Sequence, residues 1–471
     1  MYRCVLLALF VATGQAGLSA PASRAKLQIR LETYLTSYTS HRGSPFKAVV
    51  ISPLVENGQI LIPAKSVVYG TVRRATPVRL GIIHERAGLD LSFLRYKTPG
   101  GREFPLSAKL AAIDNAREQV TKKGRIKGVL AARTPDEVFN GVWAEPSVGM
   151  FFHSLEGLRG LSYEISEIWP MGPVGPAVLM GVRCLLIRFP EPEIHLPPGT
   201  DMTLLVDKAN TAFAPKPDPP ALEPPAALAE WLRSQPLAVE KPNGRHVEDT
   251  INLAFLGSRQ QLMNAFRVSG WYRPVPKTFK SFSRFCLDFD RKKRYPRAPV
   301  SRLLYRGKAP DLVFEKSLDS VAKRDHVRIW SAGFSHGREI WLGAATHDIG
   351  VRFNFRSFLF THRVDRHIDA ERATLVTDLR FSGCSHAAMY AQGNGSTIPA
   401  WKHSAITDGR IGILSLQSCS APVGPDPQPP PKLAGNKASR LARRIILETR
   451  NYALRENVYY WAYEIIRHRP R

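Results

Sequence analysis

Residues 249–271 have the sequence DTINLAFLGSRQQLMNAFRVSGW, and this stretch decides the fold of the second half of the chain. The segment 250–256 is largely apolar, which is typical of a buried strand. Gly257-Ser258 then supplies a turn and a helix N-cap, and the apolar spacing that follows predicts a helix over 260–268. A strand that leads directly into a helix indicates a unit that mixes both kinds of element.

The pattern continues outward from this stretch to residue 416. It predicts further strands at 311–315, 327–331, 339–345 and 411–416, and a helix at 370–379. Antiparallel hairpins combined with helices favour an α+β sandwich.

Several short motifs in this region occur in a fixed order. They are PDLVF at 310–314, HVRIW at 326–330, WLGAAT at 341–346, and the stretch from Thr361-His362 to HIDAER at 367–372. Together with 249–271 they resemble the LssY C-terminal domain family over residues 247–417. The resemblance implies a bacterial domain that occurs alone or fused to integral membrane modules of the lipid-phosphatase and DedA types, so proteins of those types are candidate partners. The activity that it implies is undefined.

The first half of the chain alternates apolar and polar residues in many short runs. These runs lie at 27–35, 46–51, 60–62, 67–72, 78–84 and 89–96, and Asn57-Gly58 and Gly100-Gly101 are hairpin turn signals. Short strands at this spacing predict an all-β barrel or sandwich over residues 21–213.

Two proline-rich runs divide the chain. PKPDPPALEPP at 215–225 and PVGPDPQPPP at 422–431 predict extended linkers over 214–226 and 421–434. The fold class is therefore multidomain: an N-terminal all-β unit, an α+β unit over 227–420, and a basic amphipathic helix over 435–471.

The first 20 residues have the pattern of a secretory signal peptide. Arg3 precedes a short apolar run, and small residues follow up to Ala20. We therefore expect export to the periplasm or cell envelope. Four cysteines remain in the exported chain and allow three pairings. Cys384–Cys419 is the preferred pair because it flanks the end of one unit, whereas Cys184 and Cys286 lie elsewhere.

The chain carries a formal net charge of +26. Residues 271–310, including the run Arg291–Arg294, and the C-terminal tail are the most basic segments. In an exported protein this charge predicts an anionic membrane surface or an acidic envelope polymer as partner, and no nucleic acid. The alternative is a solvated basic surface without a specific partner. The apolar segment 168–188 is too short to span a bilayer; it is either an interfacial hairpin or a loop packed on its own barrel.

Histidines and carboxylates concentrate between residues 326 and 371. The metal-ligand candidates are His347, His362, His367 and Asp369, and the catalytic candidates are His362, His367, Asp348 and Arg328. The structural alternative gives Asp369 the role of N-cap to a helix that begins at Ala370. The segment GFSHG at 333–337 matches a hydrolase nucleophile motif, but strand-like residues follow it, so we interpret it as a hairpin turn.

Two functions remain open from these residues. The first is a non-enzymatic envelope module that binds a membrane surface or an acidic polymer. The second is a phosphatase-like or esterase-like envelope hydrolase that uses the histidine and aspartate cluster. The cofactor is unknown, and the residue types allow a divalent metal.

Overall fold

The computed structural model describes most of the chain outside residues 1–24 and 130–190. The described ranges are 25–80, 86–114, 117–129, 191–242, 247–276, 300–317, 324–335, 337–354, 359–395, 406–420 and 431–455, with single positions between 278 and 297. This part of the chain is mostly β and contains four α-helices. The signal peptide at 1–20, the apolar segment 168–188 and the basic run Arg291–Arg294 lie outside the described residues.

The first unit is a nearly closed, barrel-like sheet, which we call the barrel. Its strands run in the order β10-β11-β7-β6-β3-β1-β13-β9, with β8 paired to β7, and small two- and three-stranded sheets accompany it. The strands of this unit are β1 Ala25–Leu31, β2 Leu35–Thr36, β3 Pro45–Val50, β4 Leu54–Glu56, β5 Gln59–Ile62, β6 Val67–Thr76, β7 Gly88–Lys97, β8 Glu103–Pro105, β9 Ala108–Ile113, β10 Gln119–Val120, β11 Ile126–Lys127, β12 His195–Leu196, β13 Asp201–Val206 and β14 Lys216–Pro217.

The barrel's core is built from apolar side chains at every second position of its strands. Leu27, Ile29 and Leu31 of β1 point inward and are at most 1% exposed, because side chains two residues apart share one face of a strand. The turn predicted at Asn57-Gly58 joins β4 to β5, and both residues have positive φ. Asparagine and glycine favour this left-handed backbone, which a tight hairpin turn requires.

The second unit is built on a seven-stranded sheet in the order β18-β19-β20-β17-β23-β22, with β21 paired to β20. Its strands are β15 Ala238–Glu240, β16 Val247–Thr250, β17 Leu253–Leu256, β18 Leu312–Ser317, β19 Arg324–Ser335, β20 Arg338–Asn354, β21 Leu359–Val364, β22 Ser385–Gln392 and β23 Arg410–Leu416. The helices are α1 Ala226–Ser234, α2 Arg259–Val268, α3 Ile368–Phe381 and, beyond the sheet, α4 Lys437–Arg455.

Helix α2 begins as the sequence predicts. The Ser258 hydroxyl accepts a hydrogen bond from the Gln261 amide, and the Gln261 side chain accepts one from the Ser258 amide. This reciprocal capping box satisfies two amides that the first turn leaves unpaired. Helices α2 and α3 cover one face of the sheet, and α1 covers the other.

Two further sequence predictions about this unit are confirmed. The segment GFSHG connects β19 to β20 as a hairpin, with Ser335 paired to Arg338, so it is not a strand-to-helix elbow. Cys384 and Cys419 form a disulfide that ties the end of α3 to the segment after β23.

Helix α4 docks on the barrel. Leu447 is 2% exposed and belongs to the barrel's apolar core, and the Arg443 guanidinium donates to the carboxylates of Glu191 and Glu193. One face of this basic helix is therefore occupied by protein. Among the described residues, no helix is long and apolar enough to cross a membrane.

Candidate metal centre

A pocket of about 320 Å³ lies where the barrel meets the second unit, and we call it the seam pocket. Strands β1, β9 and β13 supply one wall, and β19, β20 and α3 supply the other. Eight of its 17 lining residues are titratable: Asp114, Asp201, Asp325, Asp365, Glu371, Asp378, His347 and His367. Six carboxyl groups in one pocket make it a candidate site for cations.

Three of these side chains converge at the base of the pocket. Asp325 and His347 are register partners on β19 and β20, so their side chains lie on the same face of the sheet. Glu371 in the first turn of α3 packs over that face. One ligand atom from each of the three lies within 4.8 Å of the others. We call Asp325, His347 and Glu371 the seam triad.

The imidazole of His347 lies close to both carboxylates of the triad. His347 Nδ1 lies 2.5 Å from Asp325 Oδ1 and 3.9 Å from Glu371 Oε2. The side chains of Asp325 and Glu371 are only 1% and 3% exposed, while that of His347 is 18% exposed. The carboxylates are thus withdrawn from water, and the imidazole opens towards the pocket.

Two oxygens of the triad accept no hydrogen bond when both of its carboxyl groups are ionised. They are Asp325 Oδ2 and Glu371 Oε1, and both are buried. A buried carboxylate oxygen without a partner is unfavourable, by roughly 1–3 kcal/mol or more, so it calls for a proton or a cation.

The pKa of Glu371 also indicates that these carboxylates need a proton or a cation. Burial raises the pKa of Glu371 well above its ordinary value. Asp325 raises it further through its charge and a side-chain hydrogen bond, and the charges of Asp114 and Asp378 add to the shift. The shift favours the protonated form of Glu371 when no cation is bound. A divalent cation could replace that proton and bind both carboxylates at once.

The carboxylates on the pocket wall beside the triad are already paired with cations. Arg30 of β1 lies 2.6 Å from an Asp201 oxygen and 2.8 Å from an Asp378 oxygen, and the Lys316 ammonium lies 2.6 Å from the other Asp378 oxygen. Burial alone would raise the pKa of Asp378, but Lys316 and Arg30 together hold it below its ordinary value. This network joins the barrel to α3 and compensates the charges of Asp201 and Asp378.

The metal candidates from the sequence separate in the structure. His347 belongs to the triad, and His367 lines the same pocket as an exposed residue. His362 lies on β21 opposite Val351, and its side chain is outside the described residues. Asp369 points elsewhere: it accepts hydrogen bonds from Thr407 Oγ1 and the Asp408 amide. It is not an N-cap, because α3 begins at Ile368 with His367 in the cap position.

Two catalytic candidates lie on the other face of the sheet. Asp348 directly follows His347 on β20, and Arg328 lies three residues after Asp325 on β19. Side chains an odd number of residues apart lie on opposite faces of a strand, so both point away from the pocket. Asp348 lies 3.1 Å from Arg324, and Arg328 lies 2.5 Å from Asp249. These are buried ion pairs that hold the sheet together.

The sequence prediction missed Asp325, and Glu371 belonged to the predicted cluster of histidines and carboxylates without being singled out as a ligand. Asp325 directly precedes the HVRIW motif, and strand alternation places it on the face opposite His326. The available signal was that β19 and β20 form one long hairpin, which brings Asp325 opposite His347.

This chain is thus a two-unit β-rich protein with an acidic pocket at the seam. Residues 234–409 match the family model described as the LssY C-terminus, so the chain carries an LssY C-terminal domain, as its motifs predicted. That segment includes the whole seam triad. No curated protein matches the chain.

Proposed function

We propose that this chain is an exported envelope protein whose seam triad binds a divalent cation and uses it for hydrolysis. The supporting observation is the pair of buried, unpartnered carboxylate oxygens beside His347. One imidazole with two carboxylates favours Zn²⁺ or Mn²⁺ over Ca²⁺, which takes six to eight oxygen ligands.

The proposed chemistry follows from the number of ligands. Three protein groups leave at least one coordination position for water, and the pocket admits solvent beside His347. A divalent cation lowers the pKa of a bound water towards neutrality and polarises an ester or phosphate-ester oxygen. His367 and Asp365 line the same pocket and are placed to exchange protons with a substrate.

The experiment uses the full chain and the variant Glu371→Gln. The amide resembles the protonated acid, so this variant should fold without a cation but lose a ligand. We expect Zn²⁺ or Mn²⁺ to bind the wild type by titration calorimetry, and Glu371→Gln to weaken binding at least about tenfold. At 100 times Kd the cation should stabilise the wild type by about 2.7 kcal/mol.

Glu103→Gln is the matched control, since Glu103 is a half-exposed carboxylate on β8. Equal affinities in both variants would contradict the site. Hydrolysis is tested separately with p-nitrophenyl phosphate and p-nitrophenyl acetate. Cation binding without turnover of any ester would leave a structural cation site and remove the hydrolase function.

A second function is favoured by a different observation, namely the outward face of α4. Leu441, Ile445 and Ile446 are 45–51% exposed, while Arg443 and Leu447 dock on the barrel. The helix carries six basic residues and one acidic residue. A basic helix with exposed aliphatic side chains suits an anionic membrane surface.

The membrane proposal is tested with liposomes. We expect binding to anionic vesicles that weakens with added salt and falls in the double variant Leu441→Ser/Ile445→Ser. Equal binding to neutral and anionic vesicles would contradict it.

Export is the third part of the proposal, and it rests on the sequence of residues 1–20. Fractionation should place the processed chain in the periplasm or envelope. Recovery of the full-length chain in the cytosol would contradict export.

A further inference from the structure

A second cavity, of about 400 Å³, lies on the barrel and has the opposite charge from the seam pocket. We call it the basic pocket. Five basic side chains line it together with Thr121 and a single carboxylate, Asp90: Arg73, Arg74, Lys122, Lys123 and Arg125. Neither the domain match nor the proposed hydrolysis accounts for it, because it lies outside residues 234–409.

Two local features bring these cations together. The register between β6 and β7 shifts between Val72 and Arg74, which inserts Arg73 as an extra residue. Such a bulge lets two consecutive side chains face one site. On the other side, Lys122 and Lys123 occupy the tip of the hairpin between β10 and β11.

The hairpin tip is held in place. The Gly124 amide donates to the Thr121 carbonyl, the Thr121 amide donates to the Arg125 carbonyl, and Gly124 has a φ of +84°. A Cβ at Gly124 would lie 2.8 Å from the Lys109 side chain and 3.2 Å from the Leu110 carbonyl oxygen. The Lys109 ammonium donates to the Lys122 carbonyl. The loop is therefore packed against β9, and its lysines project from a fixed base.

The charges of the basic pocket do not balance. The buried Asp90 carboxylate lies 3.2 Å from Arg74 and 3.9 Å from Arg125, and it is the only acid among the lining residues. One carboxylate thus positions two guanidiniums and leaves an excess of four positive charges. Guanidiniums match the oxygens of a phosphate in pairs, and lysines add point charge.

We propose that the basic pocket binds a phosphate-bearing anion, with room for two linked phosphate groups. Such an anion would neutralise the excess charge that Asp90 alone cannot. The source is either a soluble phosphate compound or the headgroup of an anionic phospholipid, since both present the same oxygens.

The test compares two double variants of the full chain that lose the same charge. Lys122→Gln/Lys123→Gln removes two exposed lysines from the basic pocket, and Lys26→Gln/Lys47→Gln removes two exposed lysines elsewhere on the barrel. We expect inorganic pyrophosphate to bind the wild type saturably by calorimetry. The pocket variant should weaken this binding at least about tenfold, and the control less than about twofold.

Vesicles of phosphatidylcholine with and without phosphatidic acid distinguish the two sources. Both variants keep α4, so any difference between them reports the basic pocket. Weaker binding of the pocket variant to phosphatidic acid vesicles, with competition by pyrophosphate, would support a lipid headgroup. Unchanged vesicle binding with lost pyrophosphate binding would support a soluble phosphate. Absence of saturable pyrophosphate binding to the wild type, or equal weakening in the two variants, would overturn the proposal.

Discussion

The two units of this protein bury charge in different ways. In the described part of the barrel, the buried acids are few and scattered: Asp90, Glu118 and Glu193. The second unit buries a dense set: Asp249, Glu315, Arg324, Asp325, His326, Arg328, Asp348, Glu371, Arg372 and Asp378. Burying charge is unfavourable unless it is paired, so this density must serve structure or ligand binding.

The second unit divides its charges between two faces of one sheet. On one face, Arg324 lies 3.0 Å from Glu315 and 3.1 Å from Asp348, and Arg328 pairs with Asp249. Buried oxygens without a partner occur on both faces: Glu315 Oε1 on the first face, and Asp325 Oδ2 and Glu371 Oε1 on the seam face. The two faces differ in access: Asp325, His347 and Glu371 line the seam pocket, whereas Glu315, Arg324 and Asp348 do not.

The strongest test of this division replaces Arg324 by Met. The substitution leaves the buried Asp348 carboxylate without the Arg324 cation and removes a donor to Glu315, so we expect a loss of about 3–5 kcal/mol in the free energy of unfolding. Urea unfolding followed by the fluorescence of Trp330 and Trp341 measures it. The conservative barrel variant Ile29→Val should lose only about 1 kcal/mol. A loss below 1 kcal/mol for Arg324→Met would show that these ion pairs do not hold the sheet.

The pH dependence of stability sharpens the same comparison. Burial raises the pKa of Glu315 to about 8, and nearby Asp348 raises it while Arg324 opposes the shift. The folded state therefore binds a proton that the unfolded state releases above about pH 4.5, so stability should fall as pH rises from 4.5 to 8. The free energy of unfolding should fall by about a few kcal/mol over this range.

Glu315→Gln isolates that effect, because the amide cannot ionise. We expect the free energy of unfolding of this variant, measured by urea titration at pH 5, 6, 7 and 8, to fall with pH much less than that of the wild type. Parallel pH profiles for the two proteins would contradict the assignment to Glu315.

Local sequence patterns predicted the elements that depend on neighbouring residues. The capping box at Ser258 and the turn at Asn57-Gly58 are set by a few consecutive side chains, and both formed as expected. The seam triad was not predicted as a set, because it depends on the register of a long hairpin and on the packing of α3. The barrel's share of the seam pocket depends on packing between units, which no local pattern encodes.

The disulfide offers a test confined to the second unit. Cys384 and Cys419 close a loop with a sequence separation of 35, and a cross-link of that length stabilises by about 3–4 kcal/mol in the chain-entropy account. Cys384→Ala/Cys419→Ala should lower the unfolding free energy of the second unit by up to that amount. Equal stability of the variant and the oxidised wild type would show that the loop is held by packing alone.

The smallest expected effect concerns the barrel's own buried carboxylate. Glu193 is 2% exposed, and Arg443 of α4 lies 2.8 Å from it. The barrel's buried carboxylate is therefore paired with a cation from the C-terminal helix, whereas in the second unit the pairing cations belong to the sheet itself. Arg443→Gln should weaken the docking of α4 by about 1–2 kcal/mol, because a buried carboxylate loses a charged donor while Ser37 and the Val78 amide still bind it. Faster hydrogen exchange of amides in residues 437–455 measures the loss. Lys437→Gln, at the exposed start of the helix, is the control and should leave exchange unchanged. If the two variants exchange equally, the contact between Arg443 and Glu193 does not anchor the helix, and the barrel's buried carboxylate does not need the tail.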